Sequence, residues 1–468
     1  MNALPQDTAR AELRPMSDAH QVTLFDRLAF GGLVLACVAS PWPFGSVEFY
    51  AIDVLAIWLL LLIGLWALHM AAIKKLVVRM TPILWVLLML LALGLVQIVP
   101  LPFSPHRGLW QSHRISLDPS ATLQAITKWS LLVGYFFLAS QLLYTPRRLQ
   151  ILVNALIVVG LCVALVGIFN KLTFNGKILW FRPSDFARDA FGPFVNRNHF
   201  AGFMELILPL PLLLVLGRAV ERDRWIVYGF SALVMGTAIL LSGSRGGLMA
   251  LVAQLLFLPI LAQYAWSQRQ QQQRGEISLR SGSWWRYVGG TALLVASIVI
   301  ATWWIGAEPI TSRLSLADQF NQSRPILQQR RPAIWKSSLN MIQAHAVFGV
   351  GAGAYPTVFP HYDASTGYFF VNAAHNDYIQ GVAEMGIIGG LLGLAFLYSL
   401  ARLIKRVLTV NDRWERSAGL AAAVGCIGLL AHSLVDFNLQ ITSNALVFLI
   451  LVAILDTSQW RAGQAQTA

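Results

Sequence analysis

His375 stands in the run Ala374-His375-Asn376-Asp377-Tyr378-Ile379-Gln380, directly before a long apolar stretch. Imidazole exchanges a proton near neutrality, so His375 is the best general-base candidate in the chain. Asn376, Gln380 and Glu384 recur at every fourth position, which lines them along one face of a helix. Lipid does not tolerate such a polar stripe, so that face turns toward a protein interior. Gly386, Gly389, Gly390 and Gly393 then supply the small-residue spacing of tight helix contacts. Near the other end of the sequence, His432 and Asp436 are also four apart. Either could orient His375 or an arginine; alternatively they close a helix-packing hydrogen bond. Asn196-Arg197-Asn198-His199, with Glu205 two turns further on, could bind a sugar or a diphosphate, or serve structure alone.

Two further motifs carry arginine. In Ser242-Gly243-Ser244-Arg245-Gly246-Gly247 the glycines permit a tight turn, and the helix that follows offers free N–H groups, which favour phosphate. Arg245 adds a planar, permanently charged fork, and Ser244 a hydroxyl. The motif is not a phosphate loop of the nucleotide-binding kind, because no Gly-Lys-Ser/Thr follows. Arg330-Arg331-Pro332-Ala333-Ile334-Trp335 reads as a helix start with Arg331 at its N-terminus and Trp335 one turn on, stacking on a sugar ring or packing its loop. Gly349-Val350-Gly351-Ala352-Gly353-Ala354-Tyr355 allows close packing or close approach of a ligand, but lacks dinucleotide-site spacing.

These groups need a scaffold, and composition names it. Of 468 residues, 56% are hydrophobic and only 12% charged, about half the usual charged share of a soluble domain. This excludes a soluble globular enzyme, a disordered chain and a disulfide scaffold, and predicts an all-α polytopic membrane protein. Runs long enough to cross a bilayer lie near 24–41, 49–72, 82–100, 121–142, 149–170, 199–217, 225–241, 246–264, 286–305, 376–401, 418–435 and 442–457, about 12 transmembrane helices in all. The first is read as an uncleaved span rather than a signal peptide. The net charge of +13 is explained first by the positive-inside rule, not by nucleic acid. Most of the 35 Lys and Arg fall on one side if both termini are cytoplasmic. That leaves 1–23 and 458–468 as cytoplasmic tails around a bundle at 24–457. Cys37, Cys162 and Cys426 each lie in apolar runs, so no disulfide framework is expected, and no metal-ligand spacing is present.

The informative cations are those on the other side. Segment 171–198 holds Lys171, Lys177, Arg182, Arg188 and Arg197; segment 305–375 holds Arg313, Arg324, Arg330, Arg331 and Lys336. Positive charge there opposes insertion, and an anionic ligand is a reason to keep it. Segment 305–375 is far longer than an ordinary connection and rich in Gly, Pro and aromatics. It is expected to fold, partly as helix, over the outer mouth of the bundle and to carry function. The glutamine-rich stretch 268–275 reads as a linker.

The order and spacing of SGSRGG, RxxxW with GVGAG, HNDYIQGVAEMGIIGG and HSLVDFN resemble the O-antigen ligase and polymerase superfamily over about 240–440. The resemblance implies a GT-C-like multispan glycosyltransferase in a bacterial inner membrane, with its active site facing the periplasm. Its substrates would be a glycan on undecaprenyl diphosphate and, as acceptor, lipid A–core or a second lipid-linked glycan. No cofactor and no metal are implied, and the anomeric carbon would be inverted. By position, Arg245 and Arg331 take the family's catalytic arginine role and His375 its histidine role. Arg197, Arg330, Arg188 and Ser244 are the remaining diphosphate-binding candidates. Asn376, Tyr378, Gln380, His432, Asp436 and Asn196 are the acceptor-binding or orienting candidates. The chemistry is coherent: charge grows on the departing diphosphate, arginines stabilise it, and a base takes the acceptor proton.

Ligation and polymerisation, of O-antigen or exopolysaccharide repeats, are not separated by any readable acceptor code. A protein-glycosylating branch is disfavoured because no soluble domain follows residue 457. A lipid-linked glycan flippase is the alternative of another class. It would place charges at mid-depth along several spans, whereas here they cluster at one face, with Glu205 and Glu384 the main exceptions.

Overall fold

The computed structural model of the protein describes residues 22–102, 113–185, 187–274, 285, 288–293, 295–297, 300, 330–363 and 370–467. The apolar runs fold as helices: α1 (Leu24–Ala39), α2 (Phe49–Ala72), α3 (Pro82–Ile98), α4 (Pro119–Leu142), α5 (Pro146–Leu172), α6 (Arg197–Ile207), α7 (Pro209–Leu216), α8 (Trp225–Ser242), α9 (Arg245–Arg274), α10 (Arg330–Ala344), α11 (Tyr355–Val358), α12 (Asp377–Val407), α13 (Arg413–His432) and α14 (Thr442–Thr467). Their starts follow local chemistry. Thr23, Thr81, Asp118 and Thr145 each accept a first-turn N–H, and Pro82, Pro119 and Pro146 occupy a first turn that needs no proline donor. The one sheet among the described residues is a short antiparallel pair, Lys177–Ile178 with Arg182–Pro183.

A helix stands at each expected span; of 286–305 the described residues 288–293, 295–297 and 300 are helical, and the other half lies outside the described residues. The sixth expected span is two helices, because Pro209 and Pro211 remove donors and break α6 from α7. By length and composition, five segments are able to cross a membrane: 49–72, 146–172, 197–216, 222–242 and 377–407. Five, not twelve, is therefore the count that the described helices support on that measure. Part of the expected outer loop is helical too, as α10 and α11.

The small-residue helix α13 is buried over most of its length and packs against α9, α14, α7 and α6. Around it runs one apolar core that reaches from Ala29 to Leu455. A second, smaller core lies under α10 and α11: Met341, Val350, Tyr355, Val358 and Phe359 close on Ala374 and Ala383. At one end α1 and α5 are joined by a buried ion pair. Arg148 Nη1 donates to Asp26 Oδ1 (3.0 Å), a second guanidinium nitrogen meets Oδ2, and Tyr144 donates its hydroxyl proton to Oδ2 (2.8 Å).

The two cores are joined by a broken helix. Gly386 in α12 adopts φ 64°, ψ −165°, and a Cβ there would stand 2.3 Å from the Val347 carbonyl oxygen. The break frees backbone groups inside the protein, and the glycine-rich segment 346–353 pairs with them. Val350 N–H donates to Ala383 O (3.0 Å), Gly351 N–H to Glu384 O (3.0 Å) and Ile387 N–H to Ala346 O (2.8 Å). Gln97 of α3 seals the joint, donating to Glu384 O (2.9 Å) and accepting from Ala352 N–H (2.9 Å). Irregular backbone survives in a membrane protein only when satisfied in this way. Of the two uses expected for the glycine run, close packing is the one seen.

Candidate functional site

Three helix N-termini meet at one end of the bundle, those of α6, α9 and α12, beside the C-terminal end of α13. Each is capped by a residue of a sequence motif. Asn196 Oδ1 accepts from Asn198 N–H (2.8 Å), Ser244 Oγ from Gly247 N–H (3.0 Å), and Asn376 Oδ1 from Tyr378 and Ile379 N–H (3.0 Å each). Asn196, Ser244 and Asn376 thus shape the ends of the helices that carry their arginine or histidine neighbours. Arg245 is the exposed first residue of α9, one position after its cap.

The turn at 242–247 is seated on a buried acid–base pair. His432 Nδ1 lies 3.0 and 3.1 Å from the two carboxylate oxygens of Glu205, and both side chains are wholly buried. A Cβ on Gly246 would stand 2.3 Å from His432 Nε2, so only glycine lets the turn come this close. His432 therefore supports the arginine turn and pairs with Glu205, rather than with His375.

Asp436 is the partner of His375. His375 Nδ1 lies 3.4 Å from Asp436 Oδ1, the long end of hydrogen bonding, and such contacts tighten when substrate binds. The His375 side chain is 32% exposed and that of Asp436 1%, so the imidazole is reachable while its partner is not. Asn198 Nδ2–H donates to the other oxygen (2.5 Å) and Phe437 N–H to Oδ1 (2.9 Å). Burial alone would raise the Asp436 carboxyl. The hydrogen bond to His375 and the imidazoles of His199 and His432 more than offset this and hold it well below the usual carboxylate range. The Phe437 ring lies against His375 on one side (centroids 5.1 Å apart) and His199 on the other (4.8 Å).

The histidine is held in a strained backbone conformation. His375 has φ 50°, uncommon for a residue with a side chain. Its neighbours enforce it. Asp377 N–H donates to Ser433 O (3.0 Å), Asn376 Nδ2–H to Leu434 O (2.8 Å), and Asp377 Oδ2 accepts from Ser433 Oγ–H (2.8 Å) and Leu439 N–H (3.1 Å). On the other flank Gln380 accepts from Ala374 N–H (3.0 Å) and donates to Glu384 Oε1 (2.9 Å). Tyr378 donates its hydroxyl proton to Leu430 O (2.8 Å) and so fastens α12 to α13. Local strain of this kind persists only where the surroundings over-determine it. The stripe of Asn376, Gln380 and Glu384 does face the interior, and there it holds the His375 loop.

Helix α10 reaches the same place. Trp335 Nε1–H of α10 donates to Ala374 O (2.9 Å), next to His375. Arg331, half-buried, is one turn before Trp335 on the same helix; Arg330 is its first residue. Arg197 pairs with Asp189 (2.9 Å), and Arg188 is exposed on the segment before α6.

Asn198 and Glu205, both named with the Asn196–His199 motif, complete the site together with Phe437, which only its place beside Asp436 pointed to. Residues 230–394 match the family model described as O-antigen ligase. No curated protein matches the chain. The matched segment contains Arg245, Arg331 and His375, while the fold adds Asn198, Glu205, His432 and Asp436 from outside it. The match over 230–394, about a third of the chain, is what supports the O-antigen ligase superfamily here.

Proposed function

We propose that the protein is a membrane glycosyltransferase of the O-antigen ligase type, with His375 as its general base. The observation that carries this reading is the exposed His375 imidazole set against the buried Asp436 carboxylate, at the bundle end where Arg245 and the Arg331 helix also arrive. With Nδ1–H turned to Asp436, Nε2 is the nitrogen left to accept a proton. An acceptor hydroxyl oxygen attacks the anomeric carbon of a glycan carried on undecaprenyl diphosphate. Its proton passes to His375 Nε2, the carbon–oxygen bond to the diphosphate breaks, and the anomeric carbon is inverted. Negative charge grows on the departing diphosphate. Arg245 and Arg331 would stabilise it, with the N-termini of α6 and α9 adding partial positive charge. Asp436 holds the imidazole tautomer and stabilises the imidazolium.

In this reading the bundle sits in a bacterial inner membrane with both termini cytoplasmic, the site faces the periplasm, and α10 packs beside it. Lipid A–core is the proposed acceptor, and the reaction proceeds without a metal ion. The test is transfer by purified protein in detergent with chelator present. Undecaprenyl-diphosphate glycan is offered either with lipid A–core or alone, to wild type, His375→Ala and Arg331→Ala. Product on lipid A–core, lost in both variants, supports the proposal. Longer lipid-linked chains instead would make it a polymerase. If wild type glycosylates no acceptor yet moves labelled lipid across a liposome bilayer, the protein is a flippase.

A further inference from the structure

A second polar site lies at the end of α5. There a cavity of about 220 Å³ opens between the last turns of that helix and the segment leading to α6. Gly167, Asn170, Lys171 and Phe174 line one side, and Arg188 and Phe191 the other. Asn170 is only 4% exposed, and its Nδ2 has no hydrogen-bond partner among the described residues. A buried amide donor left empty is costly, so a group entering this cavity with an acceptor oxygen would be held.

The lining fixes the sign of that group. It contains two cations and no carboxylate. Asp189, the nearest acid in sequence to Arg188, is engaged by Arg197. The C-terminal end of α5 carries partial negative charge, so attraction must come from the side chains; Lys171 and Arg188 supply it. The cavity is smaller than the ~300–1,000 Å³ of sites that enclose a drug-sized ligand, so it takes a head group rather than a whole molecule. The surroundings suit a tail. Phe169, Leu172 and Phe174 are all exposed at this helix end, beside a segment apolar and long enough to cross a membrane.

We propose that this cavity binds the phosphate group of a lipid, through Asn170 Nδ2, Lys171 and Arg188. Arg188 is thereby assigned to this cavity instead of to the diphosphate at His375, and no other lining residue has a proposed role in that chemistry. Phosphate on an isoprenoid and phosphate on a glycerolipid share the recognised chemistry, so the experiment separates them.

Native mass spectrometry of the full chain in detergent would follow retention of undecaprenyl phosphate, phosphatidylglycerol and phosphate-free diacylglycerol. Inorganic phosphate serves as competitor. Wild type should retain a phosphate-bearing lipid but not diacylglycerol, and inorganic phosphate should displace it. Asn170→Asp, which keeps the side-chain shape but presents a carboxylate, should cut retention about tenfold, as loss of one charge-assisted hydrogen bond would. Arg188→Glu changes an exposed residue and should do the same without disturbing the fold. His375→Ala should retain lipid like wild type, which keeps this result apart from any failure of the transferase reading. The preferred lipid names the source of the phosphate. Equal retention by wild type and both variants, equal retention of diacylglycerol, or no retention of either phosphate lipid overturns the proposal.

Discussion

Asp436→Asn isolates the one contact on which the proposed base depends. The substitution keeps the side-chain shape and removes its charge. Asn198 can turn its amide over and accept from the new Asn, and Phe437 N–H can still donate to the remaining oxygen. The hydrogen-bond frame therefore survives, and what is lost is the negative charge 3.4 Å from His375 Nδ1. A hydrogen bond to a charged group contributes about 1.5–3 kcal/mol. At 3.4 Å, against the roughly 2.7–2.9 Å of strong pairs, the lower half of that range applies. About 1.5–2 kcal/mol of transition-state stabilisation corresponds to a roughly ten- to thirtyfold fall in kcat. KM should change little, because the imidazolium exists only once the proton has moved.

The assay is initial-rate glycan transfer by wild type, Asp436→Asn, His375→Ala and the double variant. If Asp436 acts through His375, adding Asp436→Asn to His375→Ala should slow the enzyme no further. Full additivity, or a wild-type kcat in the single variant, would refute the reasoning. Stability gives a second readout, since the folded-state carboxyl of Asp436 is held below its usual range. A lowered carboxyl stabilises the fold above the unfolded value, about 3.9, and loses that contribution as pH falls through the folded value. The Tm gap between wild type and Asp436→Asn should therefore close as pH falls below about 4.

Other contacts give sharper or blunter outcomes. Gly246→Ala drives a Cβ to 2.3 Å from His432 Nε2; overpacking of about 1–3 kcal/mol should lower Tm and, by displacing the Arg245 turn, reduce transfer more than it reduces stability. Trp335→Phe removes the donor to Ala374 O and nothing else of similar size, so about 1 kcal/mol of positioning is lost and kcat should fall several-fold in the same assay. Arg148→Met strands the buried Asp26 carboxylate at the far end of the protein. It should cost about 3–5 kcal/mol in detergent unfolding while protein that remains folded keeps wild-type kinetics.

The helices were legible because each is written locally. An apolar run flanked by Thr, Asp or Pro says where a helix begins, and α2 spans Phe49–Ala72, the range its apolar run marks out. Pro209 and Pro211 mark the sixth run as irregular, but hydropathy averages over them and does not show that α6 and α7 part there. The same locality limits what could be read of the site. The spacing of Asn376, Gln380 and Glu384 told which way their side chains face, because four residues make about one turn. It could not tell that Gln380 holds Ala374, or that Glu384 and Gln97 brace a broken helix. Likewise His432 and Asp436 share a helical period but not a partner. The helix ends at His432, so the chain turns before Asp436 and the two side chains part: His432 goes to Glu205, 227 positions away, and Asp436 to His375, 61 positions away. No pattern of period four encodes that separation. It is set by where α13 stops and by the close approach that Gly246 permits, so the arginine turn and the base are placed by two neighbouring residues of one short segment.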